Sequence, residues 1–166
     1  MRTLLLLRHA KSSWKHPELS DHDRPLNRRG KRDAPRMATL LAELRLRPEL
    51  IVSSTAKRAR RTAEAVARRC AHEGLARLDR RLYLADPGAI VDVVREVGGR
   101  SPCILLVGHN PGLEALIVRL TGYVEPLPTA GLAHIDLPIR GWRSLRLTTR
   151  GRLVNLWRPK EIAGRS

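Results

Sequence analysis

Arg8 and His9 follow an unbroken run of leucines, Leu4 to Leu7, near the start of the chain. A short apolar strand ending in this pair sets a guanidinium beside an imidazole at the carboxyl end of a sheet, where open α/β folds bind ligands. Two later segments carry matching chemistry: Ser53-Ser54-Thr55-Ala56-Lys57-Arg58-Ala59 and, after a second apolar run, Gly108-His109-Asn110-Pro111-Gly112. Forked N–H donors of arginine suit the oxygens of a phosphoryl group. A neutral imidazole offers a nucleophilic lone pair near neutral pH. Singly these residues are unremarkable: histidine is common in cores, and Arg58 lies in an arginine-rich stretch. His109 is the stronger signal, because glycines flank it where backbone must come close to a ligand. The expectation is that Arg8, His9, Arg58 and His109 meet at one sheet edge around one anion.

Short elements must bring them there. Thr3 to Leu7, Leu50 to Val52 and Pro102 to Val107 read as buried strands. Asn27 is an N-cap for a helix to about Arg45, with Met37, Leu40, Leu41 and Leu44 at helical spacing, Pro35 delaying its regular start and Pro48 beyond its end. Further helices are predicted from Thr55 to about His72, from Pro87 through Val97, and from the Asn110-Pro111 turn to about Leu120. Leu75 to Leu82 holds a short strand, and three more follow at His134 to Leu137, Ser144 to Thr148 and Leu153 to Trp157, the last two joined around Thr149 to Gly151. Strand–helix alternation ending in an antiparallel tail implies a single domain over residues 1–166: a three-layer α/β/α sandwich with a mostly parallel mixed sheet.

Composition bounds the partners. The 166 residues carry a formal net charge of +16, which attracts phosphorylated or acidic molecules. Basic residues come as scattered pairs with few aromatics among them, an arrangement unsuited to single-stranded nucleic acid. The first apolar run is too short to span a membrane and no signal peptide is visible, so the cell interior is the expected compartment. Cys70 and Cys103 lack metal or redox spacing and read as buried, reduced thiols. His16, His22 and His72 read as surface residues, and carboxylate spacing suggests no metal.

The ordered set Leu-Arg-His-Ala-Lys-Ser, Asp21 to Leu26 leading into Arg29-Gly30, Ser54 to Ala59 with Thr62, and Gly108 to Gly112 resembles the histidine phosphatase superfamily, of phosphoglycerate mutase-like fold. Within it the chain is similar to the small SixA-like phosphohistidine phosphatases. The resemblance implies that His9 is the nucleophile of a covalent phosphohistidine intermediate. It makes Arg8, Arg58 and His109 the phosphoryl-binding groups, with no cofactor and no metal. Relatives often have glycine where Ala10 stands. Mutase-type members protonate the leaving oxygen with a glutamate, and the window Leu82 to Gly88 offers only Asp86, read here as a helix N-cap before Pro87 with general acid as the alternative. Asp21 and Arg24 are read as a solvated loop, with assistance to the reaction as the alternative. Lacking a good acid and long lid insertions, the chain is expected to act on phosphohistidine in proteins. The alternatives are a broad small-molecule phosphomonoesterase and a basic nucleic-acid-binding domain with a degenerate site.

Overall fold

The computed structural model describes residues 1–70 and 76–163. Six strands form one sheet in the order β3-β2-β4-β1-β5-β6: β1 (Arg2–Arg8), β2 (Leu50–Ser53), β3 (Arg77–Leu78), β4 (Cys103–Gly108), β5 (Leu132–Leu137) and β6 (Arg152–Trp157). The first four pair in parallel, while β5 runs antiparallel to both β1 and β6. Leu4, Leu5, Leu6 and Leu7 are all fully buried, as befits a central strand covered on both faces.

Helices α1 (Arg28–Glu43) and α2 (Lys57–Arg69) cover one face, packing Met37, Leu41, Ala63 and Val66 against Leu5, Leu7 and Val107. Helices α3 (Pro87–Val97) and α4 (Gly112–Thr121) cover the other, where Ile90, Val94, Leu116 and Ile117 meet Leu4, Leu6 and Ile104. A last short helix, α5 (Pro159–Ile162), joins the first face through Ile162. The architecture is the expected three-layer sandwich with a mixed sheet.

Local signals set several boundaries. Asn27 caps α1, its side chain accepting the Gly30 N–H at 2.9 Å. Asp86 caps α3 through the Ala89 N–H at 2.8 Å, with Pro87 in the first turn. Pro35 does not delay α1, which is regular from Arg28. Pro35 and Lys31, whose carbonyl it deprives of an amide partner, both lie on the exposed side of the helix.

Three expectations change. Ser144 to Thr148 is not a strand; a 3₁₀ turn at Trp142–Ser144 occupies its start. Trp142 and Leu145 are buried there, and the indole donates to the Ser101 carbonyl at 2.6 Å, so the segment plugs the core instead of joining the sheet. β6 therefore pairs directly with β5. The strand within Leu75 to Leu82 shrinks to Arg77–Leu78, and α2 ends at Arg69; Leu75 and His72 lie outside the described residues. Both cysteines are free but only partly buried, and burial pushes the Cys103 thiol up to about 12.

Candidate active site

Register brings the two histidines together. Arg8 pairs with Gly108 across the β1–β4 ladder, so His9 and His109 leave adjacent parallel strands at the same level. Their ring centroids lie 5.1 Å apart, and both side chains are buried. Neighbouring β2 ends one residue before Ser54 and leads into α2, whose second residue is Arg58. Arg8, His9, Arg58 and His109 thus line one cavity of about 260 Å³, together with Lys11, Ser12, Trp14, Asp21, Arg24, Leu84, Asn110 and Thr129.

The orientation of His9 follows from its neighbours. Nδ1 lies 2.8 Å from the Ala10 carbonyl, which can only accept, so Nδ1 carries the hydrogen. Nε2 keeps its lone pair and receives the Arg58 Nε–H at 3.4 Å. The turn is braced by Thr62, whose hydroxyl accepts the Ala10 N–H and donates to the Arg58 carbonyl. Ala10 is not among the residues with positive φ, so alanine serves where relatives often carry glycine. Burial, reinforced by Arg58, Arg8 and Arg24, pushes the His9 imidazole down to about 4 despite its bond to Ala10. Burial, with His9 and Arg58 nearby, takes His109 to about 3. Both rings are neutral at neutral pH.

The arginines are held from behind. Arg8 donates to the Leu127 carbonyl at 3.2 Å. That carbonyl is itself steadied by Asn110, and Glu114 binds both the Asn110 amide and the Leu127 N–H. Desolvation lowers the Arg8 guanidinium from its ordinary value. Arg58 donates to the Asp21 carbonyl at 2.6 Å and to its carboxylate at 3.0 Å. Two of the three non-glycine residues with positive φ, Leu84 and Ala130, adjoin the cavity, and the Ala130 N–H reaches the carbonyls of Arg8 and His9. Such backbone concentrates at functional sites.

The loop residues Asp21 and Arg24, read from sequence as solvated, belong to the site. Arg24 is 7% exposed; it donates to the Ser13 carbonyl, the Ser12 hydroxyl and Asp21, and its guanidinium carbon lies 3.2 Å from the Trp14 ring centroid. Tyr83, which the sequence reading passed over, donates its hydroxyl to Asp21 and sets its ring edge-on to His109 at 5.5 Å. The Tyr83 bond, then Arg24 and Arg58, holds the Asp21 carboxyl well below the usual carboxylate range. His22, expected on the surface, keeps a 39% exposed side chain and also bonds the Thr55 hydroxyl at 2.8 Å and packs on Tyr83. The sole signal for Tyr83 was its place inside the window searched for an acid. Asp86, the acid considered there, is engaged as the α3 cap and does not line the cavity. Around the cavity, four cations (Arg8, Lys11, Arg24, Arg58) thus face one ionised carboxylate, Asp21. Among the described residues no group of three or more His, Cys, Asp or Glu is placed to hold a metal ion, and no helix is long and apolar enough to cross a membrane.

Comparisons agree with this geometry. Residues 4–83 match the family model of the histidine phosphatase superfamily, branch 1. An uncharacterized chloroplastic protein of Arabidopsis thaliana is 49% identical over 152 residues, covering 85% of this chain and 69% of that protein. An uncharacterized protein of Mycobacterium tuberculosis is 35% identical over 142 residues, covering 76% of this chain and 84% of its own. The crystal structure described as a putative phosphohistidine phosphatase SixA from Agrobacterium tumefaciens superposes with a TM-score of 0.79 at 33% identity, over 95% of this chain and 98% of that one. Paired histidines at one cavity, sheet order and sequence kinship converge: this chain is a phosphatase-fold member of the histidine phosphatase superfamily, akin to the SixA phosphohistidine phosphatases.

Proposed function

We propose that the protein removes phosphoryl groups from phosphohistidine in proteins by way of a covalent intermediate on His9. The observation that carries this reading is the disposition of His9: Nδ1–H is tied to a carbonyl, which leaves the lone pair on Nε2, 3.4 Å from the Arg58 guanidinium it faces. In the first step Nε2 attacks phosphorus in line and the substrate's P–N bond breaks. A phosphohistidine ring protonated at its other nitrogen leaves as neutral imidazole and needs no proton from the protein. Phosphorylated His9 retains its Nδ1 hydrogen, so it is itself an activated phosphoramidate. Water then attacks phosphorus, the bond to Nε2 breaks, and neutral His9 and phosphate result. Arg8, Arg58 and His109 stabilise the charge spread over the transferring oxygens without need of a metal.

Two features favour a phosphoramidate over a sugar phosphate. Asp21 is ionised and Asp86 is engaged as a cap, so neither is poised to protonate an alkoxide. The cavity is also small and open, suited to a phosphoryl group presented on a protein surface, and the +16 charge draws acidic partners to it. The test compares hydrolysis of a phosphohistidine-bearing protein with that of a phosphosugar, alongside trapping of the phosphoenzyme by a rapid alkaline quench. Faster turnover of the protein and an acid-labile label absent from His9→Ala support the reading. A preference for the phosphosugar makes the protein a small-molecule phosphatase. Full activity of His9→Ala removes His9 from the mechanism.

A further inference from the structure

His109 is held at one ring nitrogen only. Nε2 lies 2.8 Å from the Ser54 hydroxyl oxygen, whereas Nδ1 is buried with no partner among the described residues. Ser54 is fully buried, and its oxygen already accepts the Ala56 N–H at 3.2 Å. A hydroxyl carries one hydrogen. Among the described residues, the acceptor bonded to it is His109 Nε2. Donation to Nε2 satisfies serine and ring together and leaves the imidazole proton on Nδ1. Nδ1 lacks a partner among the described residues in either case, but the opposite assignment also strands the buried hydroxyl hydrogen of Ser54, an added cost.

We infer that Ser54 is a positioning residue that holds His109 as the Nδ1–H tautomer, keeping that hydrogen for an oxygen of the bound phosphoryl group. The inference rests on the phosphatase reading above and adds how its second histidine is prepared. Two buried nitrogens without a partner among the described residues, Arg8 Nε and His109 Nδ1, belong to residues lining this one cavity. An occupant with several acceptor oxygens satisfies both. The neutrality of the ring fits the scheme, because a single hydrogen then has to be placed on the correct nitrogen. Ser54 itself does not line the cavity, so it acts through His109 and not on the substrate.

The test is nitrogen-15 NMR of the histidine rings in the intact protein, with and without tungstate as the phosphoryl probe. In the wild type the His109 hydrogen is expected on Nδ1, and its resonance is expected to move when tungstate binds. Ser54→Ala should spread the hydrogen over both nitrogens and weaken tungstate about tenfold or more; Ser54→Thr, which restores the hydroxyl, should recover much of the loss. A hydrogen on Nε2 in the wild type, an Nδ1 resonance indifferent to bound tungstate, or a Ser54→Ala protein with unchanged tautomer overturns the inference. The wild-type spectrum decides even if the alanine variant fails to fold. A wild type that forms no phosphoenzyme counts against the phosphatase reading, while the spectrum still reports the tautomer.

Discussion

Arg58→Lys isolates geometry from charge. The arginine directs three N–H groups at once: Nε to His9 Nε2 at 3.4 Å, one terminal nitrogen to the Asp21 carbonyl at 2.6 Å and the other to its carboxylate at 3.0 Å. A lysine keeps the positive charge but brings a single ammonium that cannot meet these directions together. A hydrogen bond to a charged partner contributes about 1.5–3 kcal/mol, so losing two forked bonds to a phosphoryl group removes about 3–6 kcal/mol. The surviving ammonium returns part of this, leaving about 2–4 kcal/mol, or roughly a 30- to 1000-fold fall in kcat/KM. The assay is turnover of a phosphohistidine protein, with tungstate affinity measured in parallel and circular dichroism confirming the fold. A lysine enzyme within about threefold of wild type on both measures refutes the clamp and leaves only a general positive field.

Three further outcomes are expected. Burial pushes the His9 imidazole from its ordinary value near 6.5 down to about 4, so in acid the unfolded chain takes up a proton that the native one refuses. This stability is whole above pH 6.5 and drains away toward pH 4, by about 3 kcal/mol for His9 alone. Chemical denaturation across that range, with His9 followed by NMR, should show it, and a native His9 titrating near 6.5 contradicts it. Asp86→Ala should lower stability by about 1 kcal/mol through the lost cap while leaving kcat/KM intact; a steep loss of activity without unfolding would make Asp86 the acid after all. Gly30→Ala would drive a Cβ into the Lys11 carbonyl, displacing a residue that lines the cavity. Overpacking of this kind costs about 1–3 kcal/mol, so both melting temperature and tungstate affinity should fall, and an unperturbed variant would show that the backbones separate freely.

Much of the frame was legible because its signals are local. Asn27 and Asp86 announced their helices by cap chemistry, and Leu4 to Leu7 a strand buried on both faces. The four candidate site residues fall together for a related reason: Arg8, His9 and His109 stand at or just past the ends of parallel strands, and Arg58 lies in the first turn of the helix that follows β2. Asp21, Arg24 and Tyr83 were not legible, since their environment is made by contacts across long stretches of chain. Arg24 is buried by Ser12, Ser13 and Trp14, and the Asp21 carboxyl, still exposed, is pulled below its ordinary range by partners up to 62 positions away. Polar composition reads as solvent exposure until such partners are known. Ser144 to Thr148 failed differently: alternation suited a strand, but the buried Trp142 anchored the chain away from the sheet.

Four consecutive leucines look the same from either face of β1, so packing alone discriminates poorly between alignments shifted by one residue. The polar ends of the strand must supply that choice. Thr3 binds the Asp136 carboxylate at 3.1 Å at one end, and Arg8 reaches the Leu127 carbonyl at the other. Sliding the strand by one position would thrust the Arg8 guanidinium into the wholly apolar slot now filled by Leu7. Arg8, proposed above to grip the phosphoryl group, therefore doubles as the stop that keeps the central strand in its place.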